Sequence, residues 1–340
     1  MGSRSSVARP AGAVTLADVA RRVGVSARTV SRVVNDEGGC TPETRDHILT
    51  AIAELGYRPN LMARGLIRRR SDTIGLVAAE ILNPFFPEVA AGVQAAAASI
   101  GRTMFLVSTD SDRIKQQRAL TSLLGHGVDG VIVFPAKGSD DDLVRFAADG
   151  LPIVVVNHEI EAPGLAVVTA EIQRGATLAV DHLVRRGRTR VAMLTDRDPR
   201  PPRRPSRREL GYRASLQQAG APDLIVEVDN SMAGGRAGAE ALLGHERRPD
   251  AIFAYNDVIA IGALQHLVTR GLAVPDDIAV VGFDDIAMCE AVTPHLTSVR
   301  IDRDLLGRTS VEALQNLVGA CGEPIAPRRL SVELVVRESS

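Results

Sequence analysis

The 340-residue sequence predicts an α/β chain: a three-helix head at the N-terminus, a short basic linker, and a two-lobed body built on two doubly wound parallel sheets. Three observations carry this. Residues 15–56 hold three short amphipathic segments, each with its own cap and stop. From Thr73 onward, apolar β-rich runs alternate with helical patterns at the spacing of βαβ units. Charge divides at the same boundary: residues 1–70 hold 12 Arg, no Lys and 6 Asp plus Glu, a balance of +6, which leaves −7 for residues 71–340 of a chain that totals −1.

In the head, Leu16, Val19, Ala20 and Val23 recur at i, i+3, i+4 and i+7, the apolar stripe of one short helix. Thr15 with Asp18 three residues later has the form of a capping box, and Gly24 can take the left-handed conformation that stops the helix. Ser26 caps a second helix whose inner face is Val30, Val33 and Val34. Its free face carries Arg28, Thr29, Ser31 and Arg32, a mixture of base-edge readers and phosphate donors. Two helices joined by a short turn containing Gly make a helix-turn-helix, the alternative being a helical hairpin with a solvated basic face. A third helix starts at Thr41-Pro42, carries Ile48, Ala51, Ile52 and Leu55, and stops at Gly56. A positive head on an otherwise acidic body is the charge distribution that phosphate binding requires.

In the body, strands are expected at 73–79, 103–108, 131–134, 153–156, 190–194, 251–255 and 278–282. Helices are expected at 87–100, 113–126, 140–149, 172–186, 209–219, 233–244, 257–270 and 303–318. Runs such as VIVF, IVVV and IAVVGF suit strands covered on both faces. About ten units are too many for one sheet, so two lobes are expected, with ligands held at the C-terminal ends of their strands. The expected organisation is an N-terminal arm over 1–12, a head over 13–59, a linker over 60–71 and a body over 72–340. Within the body, lobe 1 is expected to take 72–160 and 286–300, and lobe 2 to take 161–285 and 301–340.

Composition excludes several classes. No apolar run of about 18 residues spans a membrane, and residues 1–12 lack the apolar core of a signal peptide, so the chain reads as cytoplasmic. Cys40, Cys289 and Cys321 are too scattered for a disulfide framework or a zinc site, so neither metal nor cofactor is expected. No phosphate-binding loop, dinucleotide fingerprint or nucleophile elbow occurs, and the seven His residues form no cluster, so the chain does not read as an enzyme.

TLADVARRVGVSARTVSRVVN, followed by YRPNLMARGLIRRRSDTIGLV, resembles the lactose-repressor (LacI/GalR) family of bacterial transcriptional regulators. The resemblance runs from about Thr15 to the C-terminus and implies a body like the periplasmic binding proteins. It assigns DNA contacts to Thr15, Ser26, Ala27, Arg28, Thr29, Ser31, Arg32 and Asn35 in the head, and to Asn60, Ala63, Arg64 and Leu66 in the linker. In the family that linker is a hinge helix that folds only on operator DNA, and the leucine matching Leu66 wedges into a central base step. The residues agree: Asn60 is a good cap, the segment is too short to be helical alone in water, and an apolar side chain between Arg64 and Arg68 suits minor-groove insertion.

For the effector site, position after a strand nominates Phe85, Phe86, Asp110 and His158. The resemblance adds Arg208, matching an arginine that relatives use to grip an effector, and Asp257, matching a ligand-binding acidic residue. The chain departs from the family at Ala170-Glu171, where Asp-Asn is usual, and at Asn230, a further effector-site candidate at a position where many relatives carry an aromatic. The implied partners are a pseudo-palindromic operator, a second copy of the chain, and a small effector, by default a sugar or sugar derivative. A phosphorylated or carboxylated sugar would suit the arginines. An effector-independent DNA-binding regulator and a transporter's solute-binding protein stand as alternatives.

Overall fold

The computed structural model describes residues 14–57, 71–198, 204–319 and 325–340. The chain divides into two compact units, 1–71 and 72–340.

In the head, α1 (Leu16–Val23), α2 (Ala27–Val34) and α3 (Pro42–Leu55) form as their caps dictate. The capping box is complete: the Asp18 amide donates to Thr15 Oγ1 at 3.3 Å, and the Thr15 amide donates to Asp18 Oδ2 at 2.9 Å. Gly24 closes α1 at φ +77°, a conformation that costs glycine nothing. Val19, Ala20, Val30, Val33, Ile48 and Ala51 form the head's core, with Ile52 and Leu55 packed at its edge.

The first sheet of the body holds β1 (Thr73–Ala78), β2 (Thr103–Ser108), β3 (Val131–Val133), β4 (Ile153–Val156), β5 (Leu165–Ala170) and β11 (Arg328–Leu330), in the order β2-β1-β3-β4-β5-β11. The second holds β6 (Val191–Asp196), β7 (Ile225–Val228), β8 (Ala251–Ala254), β9 (Ala279–Asp284), β10 (Thr297–Arg300) and β12 (Glu333–Val335), in the order β7-β6-β8-β9-β10-β12. Every pairing is parallel except β10 with β12. Helices α4 (Phe85–Ser99), α5 (Arg113–Gly125), α6 (Asp140–Ala148) and α11 (Arg303–Gly319) pack on the first sheet. The second sheet carries α7 (Ile172–Arg185), α8 (Arg207–Ala219), α9 (Met232–Leu243) and α10 (Asp257–Thr269). All eight body helices lie within two residues of the spans the periodicity predicts, and two doubly wound parallel-dominated sheets are the predicted fold class.

The expected lobe boundaries do not hold. β5 joins the first sheet, although it falls in the stretch 161–285 expected in lobe 2. β10 pairs with β9 and β12 in the second sheet, although it falls in the stretch 286–300 expected in lobe 1. Helix α11 packs on α4 and on β3 to β5, and so belongs to lobe 1. Among the described residues the chain crosses between lobes near 171, 301 and 331. The reason is physical: which sheet a strand joins depends on the partner its backbone meets, and local hydrophobic pattern carries no record of that. Five strands are absent from the expected list: β7, β10, β11 and β12, which are three or four residues long and partly polar, and β5, which is six residues long and buried throughout.

Candidate functional site

Two sets of side chains stand out, one on the head and one where the strands of the body end. On α2, Ala27, Arg28 and Arg32 are exposed, while Thr29, Ser31 and Asn35 are partly so. Ser26 Oγ accepts the Thr29 amide at 3.1 Å and shares a 2.8 Å hydrogen bond with the Thr29 hydroxyl, so both are committed to starting the helix. Thr15 is likewise committed to Asp18. Asn35 Nδ2 donates to Ser31 Oγ at 3.3 Å. Other head arginines are spoken for: Arg21 by Asp18, Arg22 by Glu54, Arg45 by Asp36. Arg28 and Arg32 have no carboxylate partner among the described residues, which leaves two cations on one exposed helix face. Asn60, Ala63, Arg64 and Leu66 lie outside the described residues.

In the body, the residues nominated by position fall into two groups. The Phe85, Phe86 and Phe134 rings meet edge to face with centroids 5.1–6.1 Å apart, an apolar cluster at the start of α4 in which Phe86 stays partly exposed. Asp110 and His158 sit on the rim instead. Asp110, at φ +51°, is exposed and pairs with Lys115 at 2.5 Å, and that bond holds its carboxyl below the usual range. His158 Nε2 lies 3.1 Å from Asp140 Oδ1.

The second lobe assembles a denser site. Arg208, in the first turn of α8, donates from Nη2 to Asp284 Oδ1 at 2.9 Å. Its guanidinium lies 4.4 Å from the ring centroid of Tyr255 and 4.2 Å from that of Phe283, a cation stacked on two aromatics. Beside it, Asn256 donates from Nδ2 to Asn230 Oδ1 at 2.7 Å, while Asn256 Oδ1 caps α10 through the Ile259 amide. Burial pushes the Asp284 carboxyl up to about 6, against the opposing pull of Arg208 and Arg303.

Asp257 does not line this wall. It is 1% exposed; Oδ1 accepts the Ser298 hydroxyl at 2.5 Å, and Oδ2 accepts the Ile286 amide at 2.9 Å. Both oxygens take hydrogen bonds inside the fold, and the side chain is closed off from the cleft by burial. The acidic residue that reaches the arginine is Asp284, which sequence reasoning misses although it closely follows a predicted strand. Tyr255 and Phe283 escape for another reason: each reads as part of a strand or its end, and only the register turns it toward Arg208.

Burial, then the neighbouring Asp284, pushes the Asp257 carboxyl up to about 8. A raised acid keeps its proton in the fold after the unfolded chain has lost it, so the fold loses stability as pH rises between about 4 and 8. Asp257→Asn, whose amide can donate to Ser298 and accept from Ile286, is therefore expected to melt above the parent at pH 8. The two melting curves should converge near pH 4. Parallel pH profiles would show that Asp257 is not the group responsible.

Known proteins bear directly on these sites. Residues 15–60 match the model for bacterial regulatory proteins of the lacI family, and residues 180–340 match that of a periplasmic binding protein-like domain. The chain is 34% identical over 291 residues to the HTH-type transcriptional regulator DegA of Bacillus subtilis, covering 84% of this chain and 86% of DegA. It is 33% identical to the ribose operon repressor of Escherichia coli, covering 88% of this chain and 92% of that one. The chain belongs to the lacI family of bacterial regulatory proteins.

Solved structures agree with that membership. The lac repressor dimer bound to operator and the anti-inducer ONPF superimposes with a TM-score of 0.84 at 28% identity, over 96% of this chain and 99% of that one. The regulator CelR in complex with cellobiose gives 0.71 at 31% identity, over 96% of this chain and all of its own. A family regulator from Enterococcus faecium with bound ribose gives 0.71 at 27%, over 79% of this chain and 98% of that one. Among the described residues no helix is long and apolar enough to cross a membrane.

Proposed function

We propose that this lacI-family member is a transcriptional repressor that binds a pseudo-palindromic operator as a homodimer and responds to a small polyhydroxylated effector. The observation that carries the DNA-binding half is the exposed α2 face. Arg28 and Arg32 are its uncommitted cations, able to reach base edges or phosphates, and Ala27 is small enough to meet a thymine methyl. A dimer places two such helices in successive major grooves. Its interface has a natural seat on lobe 1. There the edge strand β2 exposes Phe105 and Leu106 beside an apolar groove of about 210 Å³ lined by Ile81, Phe86, Ala90 and Met104. Apolar side chains on an unpaired edge invite a second copy.

The effector half rests on Arg208, Asp284, Asn230 and Asn256, at the strand ends where open α/β sheets bind ligands. Because Asp284 already neutralises Arg208, the wall offers balanced donors and acceptors rather than a free positive charge. That favours hydroxyl groups over a phosphate or carboxylate, and the neighbours solved with cellobiose and ribose bind ligands of that chemistry. Asp110 and His158 would contribute from lobe 1 as it closes on the ligand, with the buried Phe85 and the groove-lining Phe86 as packing behind them. Effector binding would change the angle between lobes and so the spacing of the two linkers, through its unequal affinity for the two states. Such a repressor acts in the cytoplasm and performs no chemistry of its own.

Selection of bound sites from random duplex DNA tests the whole reading. Enrichment of a pseudo-palindrome with a pyrimidine–purine step at its centre is expected, and sequence-independent, salt-sensitive retention would sink it. On the selected duplex, Leu66→Ala is expected to weaken binding about 30- to 100-fold, or about 2–3 kcal/mol, if that side chain wedges the central step. Unchanged affinity would remove the wedge from the mechanism.

A further inference from the structure

We propose that Lys137 is the electrostatic tie between the two lobes, and that its ion pair with Asp196 sets how readily the cleft opens. Lys137 stands in the loop between β3 and α6, on lobe 1. Its Nζ donates to Asp196 Oδ2 at 2.8 Å and to the Arg197 carbonyl oxygen at 2.8 Å, both at the C-terminal end of β6 on lobe 2. Only one other described ion pair spans the gap at the level of these loops: Arg207, at the head of α8, pairs with Glu159, which follows β4 and also holds Arg329.

What makes Lys137 decisive is the charge around it. Glu80 follows β1 on lobe 1, and burial together with Asp110 and Asp196 raises its pKa. Glu80 on lobe 1 thus feels the negative charge of Asp196 on lobe 2. Lys115 answers Asp110, but it does so within lobe 1 and contributes nothing across the gap. Arg197 turns its own side chain toward Asp229. Among the described residues, Lys137 is therefore the lobe 1 cation that pairs with Asp196 across the gap. The Asp196 side chain is 18% exposed and that of Lys137 is 35% exposed, so water screens the pair only in part. With Lys137 in place the lobes attract at this point; with its charge removed, nothing offsets the repulsion between Asp196 and Glu80. An ammonium on a flexible stem can release and remake such a pair without a fixed fork geometry, which suits a contact that must break for a ligand to enter.

The regulatory consequence rests on the reading of the cleft as the effector site, but the tie itself does not. Hydrogen exchange on the full chain at low ionic strength separates the two. Lys137→Gln and Lys137→Glu are expected to speed exchange about five- to tenfold in the segments 134–139 and 196–198, with the core strands unchanged. Asp196→Lys alone should do the same. The double variant Lys137→Glu with Asp196→Lys should restore the parent rates, since the exchanged charges would pair across the gap as the native ones do. Parent-like rates in both single variants at Lys137, or a double variant as fast as the singles, would overturn the proposal. Operator affinity with and without ribose or cellobiose is then read on the same proteins. Opened variants that respond to either sugar just as the parent does would leave the tie standing and count against the cleft as effector site.

Discussion

Gly262→Ala is expected to cost the body at least about 4 kcal/mol, and Gly262→Val to prevent its cooperative folding. Helices α9 and α10 cross backbone to backbone. A Cβ on Gly262 would lie 2.1 Å from the Met232 carbonyl oxygen and 2.7 Å from the Met232 Cα. The contact is reciprocal, for a Cβ on Gly235 would lie 2.1 Å from the Ile259 carbonyl oxygen. No rotamer change relieves a clash with main chain, so the helices must separate. Separation would uncover Ala239, Leu242, Ile259 and Ala263, which are all fully buried. The control is Gly125→Ala at the end of α5, where a Cβ meets nothing within 4 Å, and where alanine should be neutral or stabilising by up to about 1 kcal/mol. Thermal and urea melts of the three proteins decide the matter. A Gly262→Ala protein that melts with the parent would mean the helices do not cross at this distance.

The second large effect is expected at Arg208→Ala. The substitution leaves Asp284 buried without its counter-ion and takes the cation from between Tyr255 and Phe283. Breaking one partner of a buried pair costs about 3–5 kcal/mol. At about 2–4 °C per kcal/mol for a body of this size, the melting temperature should fall by about 6–20 °C. The loss must depend on pH. Without Arg208 the Asp284 carboxyl, already raised to about 6, rises further, so the variant folds with a proton that the unfolded chain does not hold. The gap between variant and parent should accordingly widen from pH 5 to pH 8 and narrow on the acid side. Arg208→Lys is not expected to rescue it, because an ammonium neither stacks flat between two rings nor presents a planar fork. Loss of the response to sugars in a variant that still binds operator would place Arg208 in the effector site as well. A gap that stays constant across pH would separate Arg208 from Asp284 energetically.

Features whose causes lie within a few residues of one another are legible in the chain alone. The head is of this kind: Thr15 and Asp18, Ser26 and Thr29, and Gly24 and Gly56 do locally what their spacing predicts. So are the eight helices of the body, each announced by a periodic face, and the central strands, announced by unbroken apolar runs. Arg208 and Asn230 were legible as site residues only through likeness to a family, and the structure adds the partners that give them chemistry.

The remaining features arise only when distant segments pack together. Asp257 and Asp284 are both acids at the end of a buried apolar strand, and nothing local tells them apart. The packing does: Asp257 lies against Gly282, where a Cβ would come within 2.1 Å of its Oδ1, and is consumed by Ser298 and Ile286, while Asp284 turns to Arg208. Likewise β5, β10 and α11 took the lobe whose edge they met, and Lys137 gained its meaning from a carboxylate 59 residues away. Caps and stripes are short-range and are written in the chain. Sheet membership, the partner of a buried charge, and the contact between lobes are long-range, and they come into being only when distant segments share one core.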